Sequence, residues 1–184
     1  MSSGKSENNN DLKIRFCGVG GMGVILASII FGKSAIYDNK NAVQTQSYGA
    51  EQRGSKVKSD VIISDKEMIN YPVIDKADIL IALSQDAFDK YFPDTQKEVV
   101  VFINSDLVHP SENIKNLYEI PATQLATELQ NKRVVNIIML GALCKISNIT
   151  SKESMIKSIT DSIPEKFKEI NLKAFQKGFE YFSH

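Results

Sequence analysis

Four glycines stand close together near the start of the chain, at Gly18, Gly20, Gly21 and Gly23. They follow an apolar run over residues 14–18 and precede apolar residues at helical spacing, which predicts a tight turn between a strand and a helix. Such a turn lets backbone approach a ligand closely, and the helix N-terminus offers N–H groups and a positive dipole end to an anion. The pattern predicts either an anion-binding turn or a turn that only packs tightly against its neighbours.

A second polar segment follows the next expected strand, Asn41–Ser47, and reads Ser-Tyr-Gly-Ala-Glu-Gln-Arg-Gly-Ser over residues 47–55. Parallel strands end at the same edge of a sheet, so this segment and the glycine turn are expected to emerge together. Glu51 and Arg53 form either a solvated pair of little energetic value or a site in which Arg53 binds a phosphate or carboxylate. Tyr48 and Arg53 therefore join the four glycines as candidate cofactor-binding residues.

A dinucleotide-binding site also requires an acidic residue that this sequence lacks. An acidic residue is expected at the end of the second strand, where it binds the ribose hydroxyls. That strand ends in Thr45-Gln46-Ser47, Asp38 precedes it, and no cluster of arginines is present for a ribose phosphate. These features disfavour a free-standing NAD(P)-binding oxidoreductase, which is kept as an alternative together with a purely structural interaction module.

Cysteine and histidine are too scarce and too scattered for a metal centre. Cys17 and Cys144 lie far apart in apolar segments, and His109 and His184 have no partner at ligand spacing. Iron–sulfur clusters normally require four thiolates from closely spaced cysteines, and structural zinc requires a comparable set. We expect two packed core thiols and no metal bound by this chain.

The overall composition excludes several other classes of protein. Twenty-two Lys and Arg balance twenty-two Asp and Glu, so the basic excess of a nucleic-acid-binding protein is absent. The longest apolar stretch, over residues 134–143, is interrupted by Asn136 and is too short to cross a bilayer. The polar residues 1–10 lack the apolar region of a signal peptide. We expect a cytoplasmic protein that binds neither nucleic acid nor membrane.

Short apolar strands alternate with amphipathic helices, which predicts an α/β fold: a Rossmann-like, mostly parallel sheet with helices on both faces. Further strands are predicted at 57–63 (half exposed, near an edge), 79–83, 99–103 and 117–120, and the C-terminal third is predicted to be helical. In that third, residues 134–146 are apolar nearly all round and so lie either deeply buried or against a partner chain. Thr150 and Glu153 fit a capping box, and Pro164 opens the last helix. Residues 1–11 are expected to form a disordered tail and 12–184 a single domain.

With these motifs, the sequence resembles the gamma subunit of the 2-oxoacid:acceptor oxidoreductases from about residue 14 to residue 181. The resemblance is carried by the glycine turn at 18–23 and, most specifically, by residues 47–54 at this distance from it. Supporting matches lie at Ser64-Asp65, Tyr71-Pro72, residues 78–84, Asn136 and Leu140-Gly141-Ala142. The chain departs from the family at Met22, where glutamine is common, which puts a side-chain ligand contact there in doubt, and at Ser55, where a glycine is common.

The resemblance implies an enzyme that oxidatively decarboxylates a 2-oxoacid with coenzyme A and passes electrons to ferredoxin or flavodoxin. In that family thiamine diphosphate and magnesium are held by alpha and beta subunits, and iron–sulfur clusters by the beta or a ferredoxin-like subunit. This chain would shape the shared site and contact coenzyme A, and alone it would be inactive. Tyr48 and Tyr71-Pro72 are more similar to the 2-oxoglutarate branch than to the pyruvate branch. A branched-chain 2-oxoacid is the remaining substrate alternative.

Overall fold

The computed structural model describes residues 11–47, 55–65, 69 and 72–183, and these residues form one six-stranded sheet covered by helices. The strands are β1 (Leu12–Val19), β2 (Asn41–Ser47), β3 (Lys56–Ser64), β4 (Ala77–Ala82), β5 (Thr95–Asn104) and β6 (Asn116–Ile120). Their order across the sheet is β2-β3-β1-β4-β5-β6. Only β3 runs against the others, because it pairs antiparallel with both β1 and β2. The predicted mostly parallel sheet is therefore confirmed.

Six α-helices in the described part of the chain cover the two faces of this sheet. They are α1 (Val24–Tyr37), α2 (Gln85–Tyr91), α3 (Ala122–Glu128), α4 (Val135–Ser147), α5 (Lys152–Ser162) and α6 (Glu165–Glu180). Five of them share a core with one face of the sheet, and α2 packs on the other face. The helices on both faces and the helical C-terminal third agree with the sequence prediction. None of the described helices has the length and apolar character needed to span a bilayer.

Residues 79–82 of β4 and 99–103 of β5 are apolar without alternation because both faces of the sheet are covered there. In β4, Ile79 and Ile81 contribute to the core beneath α1, whereas Leu80 and Ala82 pack on the opposite side with α2. A parallel strand with helices on both sides has no solvent-facing set of side chains, so no polar alternation is required.

The prediction that the strand over residues 57–63 is half exposed is wrong for its second half, whereas its predicted position near an edge agrees with the sheet, in which β3 is the second strand. β3 lies inside the sheet between β2 and β1, and Val61 and Ile63 are fully buried. The polar residue in its alternating pattern, Asp60, does not face water but pairs with the buried Arg15 of β1, with N–O distances of 2.8 and 2.9 Å. The alternation suggested exposure because a strand with a buried ion pair on one face has the same sequence pattern as a strand with one face in water.

The apolar helix predicted over residues 134–146 is α4, and it is deeply buried within this chain. Its first ten residues are all buried, against α6 and the neighbouring helices. Gly141 of α4 and Gly178 of α6 let the two backbones approach so closely that an added Cβ would overlap carbonyl oxygens. The alternative prediction, that α4 needs a partner chain to cover it, is therefore wrong, because α6 already covers it.

The helices at the C-terminus begin at slightly different residues from those predicted. Ser151, and not Thr150, caps α5, because its side chain accepts a hydrogen bond from the Ser154 N–H. The cap is held in place by Asp38, at the end of α1, which accepts hydrogen bonds from both Ser151 and Ser154. Pro164 does precede the first turn of α6, as the sequence predicted.

Candidate functional site

The glycine turn lies at the carboxyl end of β1, and its glycines serve different purposes. At Gly18, an added Cβ would come within 2.9 Å of Val24 and 3.1 Å of Leu83, so this glycine allows close packing of strand and helix. Gly23 has φ 73° and directly precedes α1. Gly21 has φ 97°, but no atom of the described residues lies within 4 Å of the position of its Cβ. Gly20 and Gly21 are exposed, so the tip of the turn faces open space.

Two hydrogen bonds fix the shape of the turn. The N–H of Met22 donates to the Val19 carbonyl at 3.2 Å, which closes the turn on itself. The N–H of Gly20 donates to the carbonyl of Ser55 at 3.0 Å, which ties the turn to the start of β3. These two amides are therefore already used, and an anion at this turn would have to be bound by other N–H groups near the start of α1.

The polar segment over residues 48–54, including the predicted site residues Tyr48 and Arg53, lies outside the described residues. The described residues on both sides of it lie at the same edge of the sheet as the glycine turn. Ser47 pairs with Lys58 in β3, and Lys58 in turn pairs with Cys17 in β1. The chain thus leaves β2 and enters β3 at the edge of the sheet that carries the turn.

Two lysines at the start of β3 also lie at this edge, although no sequence motif marked them as site residues. Lys56 pairs with Val19, the last residue of β1, and its side chain is exposed. Lys58 is half-buried, and its amino group lies 3.7 Å from an Asp60 carboxylate oxygen. Lys56 is therefore a cation near the turn that could attract an anion. Its position depends on the antiparallel pairing of β3, which no local sequence pattern indicated.

The strand order also bears on the NAD(P) alternative. In a dinucleotide-binding fold the second strand neighbours the first, so that its terminal acid reaches the ribose. Here β3 lies between them, so β2 is displaced from β1 by two strand spacings, about 9–10 Å. β2 also ends in Ser47 and not in an acid. Both features disfavour a dinucleotide at this turn.

Asn136, in the first turn of α4, contacts the glycine turn directly. Its Nδ2 donates to the Gly23 carbonyl at 3.1 Å, and an added Cβ on Gly23 would lie 2.4 Å from the same nitrogen. Asn136 is only 3% exposed, and its Oδ1 is buried without a partner among the described residues. In the sequence it interrupts the apolar stretch over residues 134–143, which was the available signal for its special role.

The described residues contain no group of three or more His, Cys, Asp or Glu side chains that could hold a metal ion. Both cysteines are buried and free. Burial raises the pKa of the Cys17 thiol above its ordinary value, and burial raises the pKa of Cys144 to about 11. A protonated, buried thiol is a poor metal ligand and a poor nucleophile, so both residues serve as core packing.

The geometry describes an α/β domain with a glycine turn exposed at the carboxyl edge of its sheet. Comparison with known protein families matches residues 13–181 to Pyruvate ferredoxin/flavodoxin oxidoreductase. The 2-oxoglutarate synthase subunit KorC of Methanocaldococcus jannaschii is 51% identical over 174 residues, which cover 91% of this chain and 92% of KorC. The chain belongs to the pyruvate ferredoxin/flavodoxin oxidoreductase family.

Solved structures agree with this family. The gamma subunit of a keto/oxoacid ferredoxin oxidoreductase from Geobacter sulfurreducens is 42% identical and superposes with a TM-score of 0.80, over 92% of this chain and 96% of that subunit. A 2-oxoglutarate:ferredoxin oxidoreductase from Magnetococcus marinus shares the fold with a TM-score of 0.82 at 24% identity, over 92% of this chain and 30% of that longer chain. The protein is a gamma-type subunit of a 2-oxoacid:ferredoxin oxidoreductase complex, as its sequence motifs indicated.

Proposed function

We propose that this chain is the gamma subunit of an enzyme that oxidatively decarboxylates 2-oxoglutarate with coenzyme A and passes the electrons to ferredoxin or flavodoxin. The support for this substrate is the 51% identity to a protein named as a 2-oxoglutarate synthase subunit. Tyr48 and Tyr71-Pro72 in the sequence point to the same branch. Thiamine diphosphate, magnesium and the iron–sulfur clusters belong in this proposal to the alpha, beta and ferredoxin-like subunits.

The part of this chain in the reaction is to contact coenzyme A at the carboxyl edge of its sheet. One observation carries this proposal. The segment over residues 48–54 follows Ser47 and precedes Ser55, whose carbonyl accepts the Gly20 N–H, so the residue after it is bound to the glycine turn and the residue before it lies at the same edge of the sheet, two strands away. In this proposal Arg53 acts with Gly21 and Lys56 on one phosphate group.

Chemical complementarity supports coenzyme A as the ligand. Its phosphates are anions, and the edge offers an exposed glycine turn, the N-terminus of the 14-residue helix α1 and the exposed Lys56. An arginine would add two charge-assisted hydrogen bonds to a phosphate. The Magnetococcus marinus oxidoreductase was solved with coenzyme A and succinyl-CoA bound. The alternative function is a glycine turn that binds only protein. Equilibrium binding of coenzyme A and of NADH to the complex would distinguish the two, because a turn that binds only protein would bind neither compound.

The substitution Arg53→Ala in the assembled complex tests the coenzyme A contact. We expect the Michaelis constant for coenzyme A to rise about ten- to hundredfold, because one charge-assisted bond contributes about 1.5–3 kcal/mol. The Michaelis constant for 2-oxoglutarate should change little. Lys97→Ala, which removes an exposed cation at the opposite edge of the sheet, is the control. If Arg53→Ala assembles normally and both constants stay at wild-type values, Arg53 does not bind coenzyme A.

The choice of 2-oxoacid is tested separately, with the native complex. We expect kcat/KM for 2-oxoglutarate to exceed those for pyruvate and 2-oxoisovalerate in the same assay with ferredoxin. A higher value for pyruvate would move the enzyme to the pyruvate branch and leave the coenzyme A proposal intact.

A further inference from the structure

A recess of about 330 Å³, here called the β3 recess, lies near the carboxyl ends of β1 and β2. Lys58 and Asp60 of β3, Thr45 and Ser47 of β2 and residues 72–74 line it. A volume of this size is at the lower end of the range for ligand pockets. The β3 recess therefore accommodates one end of a molecule and not the whole of a coenzyme A molecule.

The alternation of side chains along β3 determines the face of the sheet on which the recess lies. Ser59 faces α1, because its hydroxyl lies 2.7 Å from the hydroxyl of Ser28. Lys58 and Asp60 are its neighbours in the strand and therefore face the opposite side. The amino group of Lys58 accordingly lies 5.8 Å from the centre of the Tyr91 ring, in α2. The β3 recess and α1 thus lie on opposite faces of the sheet.

Lys58 brings a positive charge into the β3 recess. Its side chain is 27% exposed, and its amino group lies 3.7 Å from Oδ2 of Asp60, which is too long for a hydrogen bond. Asp60 is already paired, because both of its carboxylate oxygens accept hydrogen bonds from the buried Arg15, at 2.8 and 2.9 Å. Asp94, the other carboxylate beside Arg15, does not line the recess. A half-buried ammonium group that donates no hydrogen bond to the described residues favours an anionic ligand.

The β3 recess lies next to the glycine turn. Lys58 pairs with Cys17, the residue before Gly18, and Lys56 pairs with Val19, the last residue of β1. Lys56 and Lys58 are two positions apart in β3, so they share a face and lie about 7 Å apart along the strand. This edge therefore presents two cations at different depths, because Lys56 is exposed beside the turn and Lys58 is half-buried in the recess.

Coenzyme A carries two phosphate groups whose shapes match these two positions. Its diphosphate lies within the molecule, with the chain continuing on both sides, so an open turn with an exposed cation can reach it. Its 3′-phosphate is a terminal group on the ribose and can enter a recess. We propose that Lys58 binds the 3′-phosphate of coenzyme A, while the glycine turn and Lys56 act on the diphosphate. This inference rests on the proposed coenzyme A contact and assigns the residue that distinguishes coenzyme A from its 3′-dephosphorylated form.

The substitution Lys58→Met in the assembled complex tests this assignment, with coenzyme A and 3′-dephospho-coenzyme A as the two substrates. For the wild type we expect the Michaelis constant for the dephospho form to be about ten- to hundredfold higher, because a charge-assisted hydrogen bond is lost. Lys58→Met should raise the constant for coenzyme A by a similar factor and leave that for the dephospho form nearly unchanged. Lys58→Arg keeps the cation and should retain most of the preference.

Lys13→Met is the matched control. Lys13 is also half-buried, and it shares a face of the sheet with Arg15 and Lys58 but lies at the opposite end of β1. This variant should keep the wild-type preference for coenzyme A. Arg53→Ala, which removes a group assigned to the diphosphate, should raise the constants for both forms by the same factor. The Michaelis constant for 2-oxoglutarate should stay at its wild-type value in all of these variants.

Equal Michaelis constants for the two forms with the wild type would overturn the inference. A Lys58→Met complex that keeps the preference, or one in which both constants rise equally, would overturn it as well. The same holds if Arg53→Ala or Lys13→Met abolishes the preference, because the 3′-phosphate would then not be recognised by Lys58. Wild-type constants for Arg53→Ala, together with a lost preference in Lys58→Met, would contradict only the role of Arg53, so failure of one proposal is distinguishable from failure of the other.

Chemical labelling of the wild-type complex provides a second test that does not depend on substitutions. Acetylation by acetic anhydride, measured by mass spectrometry, should be slower at Lys58 with saturating coenzyme A than with saturating 3′-dephospho-coenzyme A. Lys13 should react equally with either form bound. Equal protection of Lys58 by the two forms would overturn the assignment of the 3′-phosphate to this residue.

Discussion

A substitution at Gly21 distinguishes a glycine turn that binds a ligand from one that only packs against its neighbours. A Cβ at this position would meet no atom of the described residues within 4 Å, so the effect of alanine on these residues is the strain of a non-glycine residue at φ 97°. We expect Gly21→Ala to lower the free energy of unfolding by about 1–2 kcal/mol. If coenzyme A phosphates approach the turn, its Michaelis constant should also rise in the assembled complex.

The control is Gly18→Ala, in which the Cβ meets Val24 and Leu83 inside the protein. This variant should lose stability through overpacking. A Gly21→Ala complex with the wild-type constant for coenzyme A would show that the tip of the turn does not touch the ligand.

Asp38 shows how one carboxylate joins distant parts of the chain. Burial alone would raise its pKa, but hydrogen bonds from Ser154 and Ser151 more than offset that effect, and the pKa of Asp38 is lowered from 3.8. The stabilisation by Asp38 is therefore complete above the ordinary pKa and is lost as the pH falls through the lower folded value.

We predict that Asp38→Asn lowers the free energy of unfolding by about 1 kcal/mol at pH 7, because partly exposed charge-assisted hydrogen bonds are lost. The difference from wild type should shrink as the pH falls below 3.8. Urea unfolding at several pH values measures it, with Asp75→Asn, at an exposed carboxylate, as the control. A difference that stays constant with pH would mean that the charge of Asp38 is not involved.

At the scale of elements, the close crossing of α4 and α6 holds the C-terminal third together. A Cβ on Gly141 would lie 2.2 Å from the Phe175 carbonyl oxygen and 2.6 Å from the Phe179 nitrogen. Backbone atoms cannot move aside as a flexible side chain can. The two helices would have to separate, and that would disturb α4, which also positions Asn136 beside the glycine turn.

We therefore expect Gly141→Ala to destabilise the chain by about 3 kcal/mol or more, in the range of severe core changes. Gly32→Ala is the matched control, because it also adds one methyl group in a helix but meets Val61 at an ordinary 3.7 Å. It should be neutral or stabilising by up to about 1 kcal/mol, through the higher helix propensity of alanine. Chemical denaturation of both variants measures the contrast, and equal stabilities would show that α4 and α6 do not cross so closely.

At the scale of the whole molecule, we predict that the isolated chain has no oxidoreductase activity and contains no stoichiometric metal. The described residues offer no ligand set for a metal ion, and both thiols are buried and protonated. Elemental analysis, the visible absorption spectrum and an assay with 2-oxoglutarate, coenzyme A and ferredoxin would test this. Stoichiometric iron with visible absorption, or turnover by the chain alone, would contradict it.

The sequence by itself determined the type and order of the elements and the location of the glycine turn. These features depend on local patterns: apolar runs for β4 and β5, helical spacing for α1 and α6, and glycines at a strand-to-helix turn. It also indicated the family, because residues 47–54 form a specific motif that needs no structure to be read. The sequence could not decide between two arrangements that share one pattern. The alternation in β3 fits either an exposed face or a buried ion pair, and the apolar helix α4 fits either a buried position or a contact with a partner chain.

Only the tertiary structure decided which solution applies, because burial and pairing depend on residues far away in the chain. Arg15 lies 45 positions before Asp60, yet their ion pair explains the polar position inside β3. The antiparallel insertion of β3 separates β2 from β1 and brings Lys56 to the glycine turn. Asn136 meets Gly23 across 113 positions. Contacts at such separations arise from the packing of whole elements, which no local sequence pattern contains.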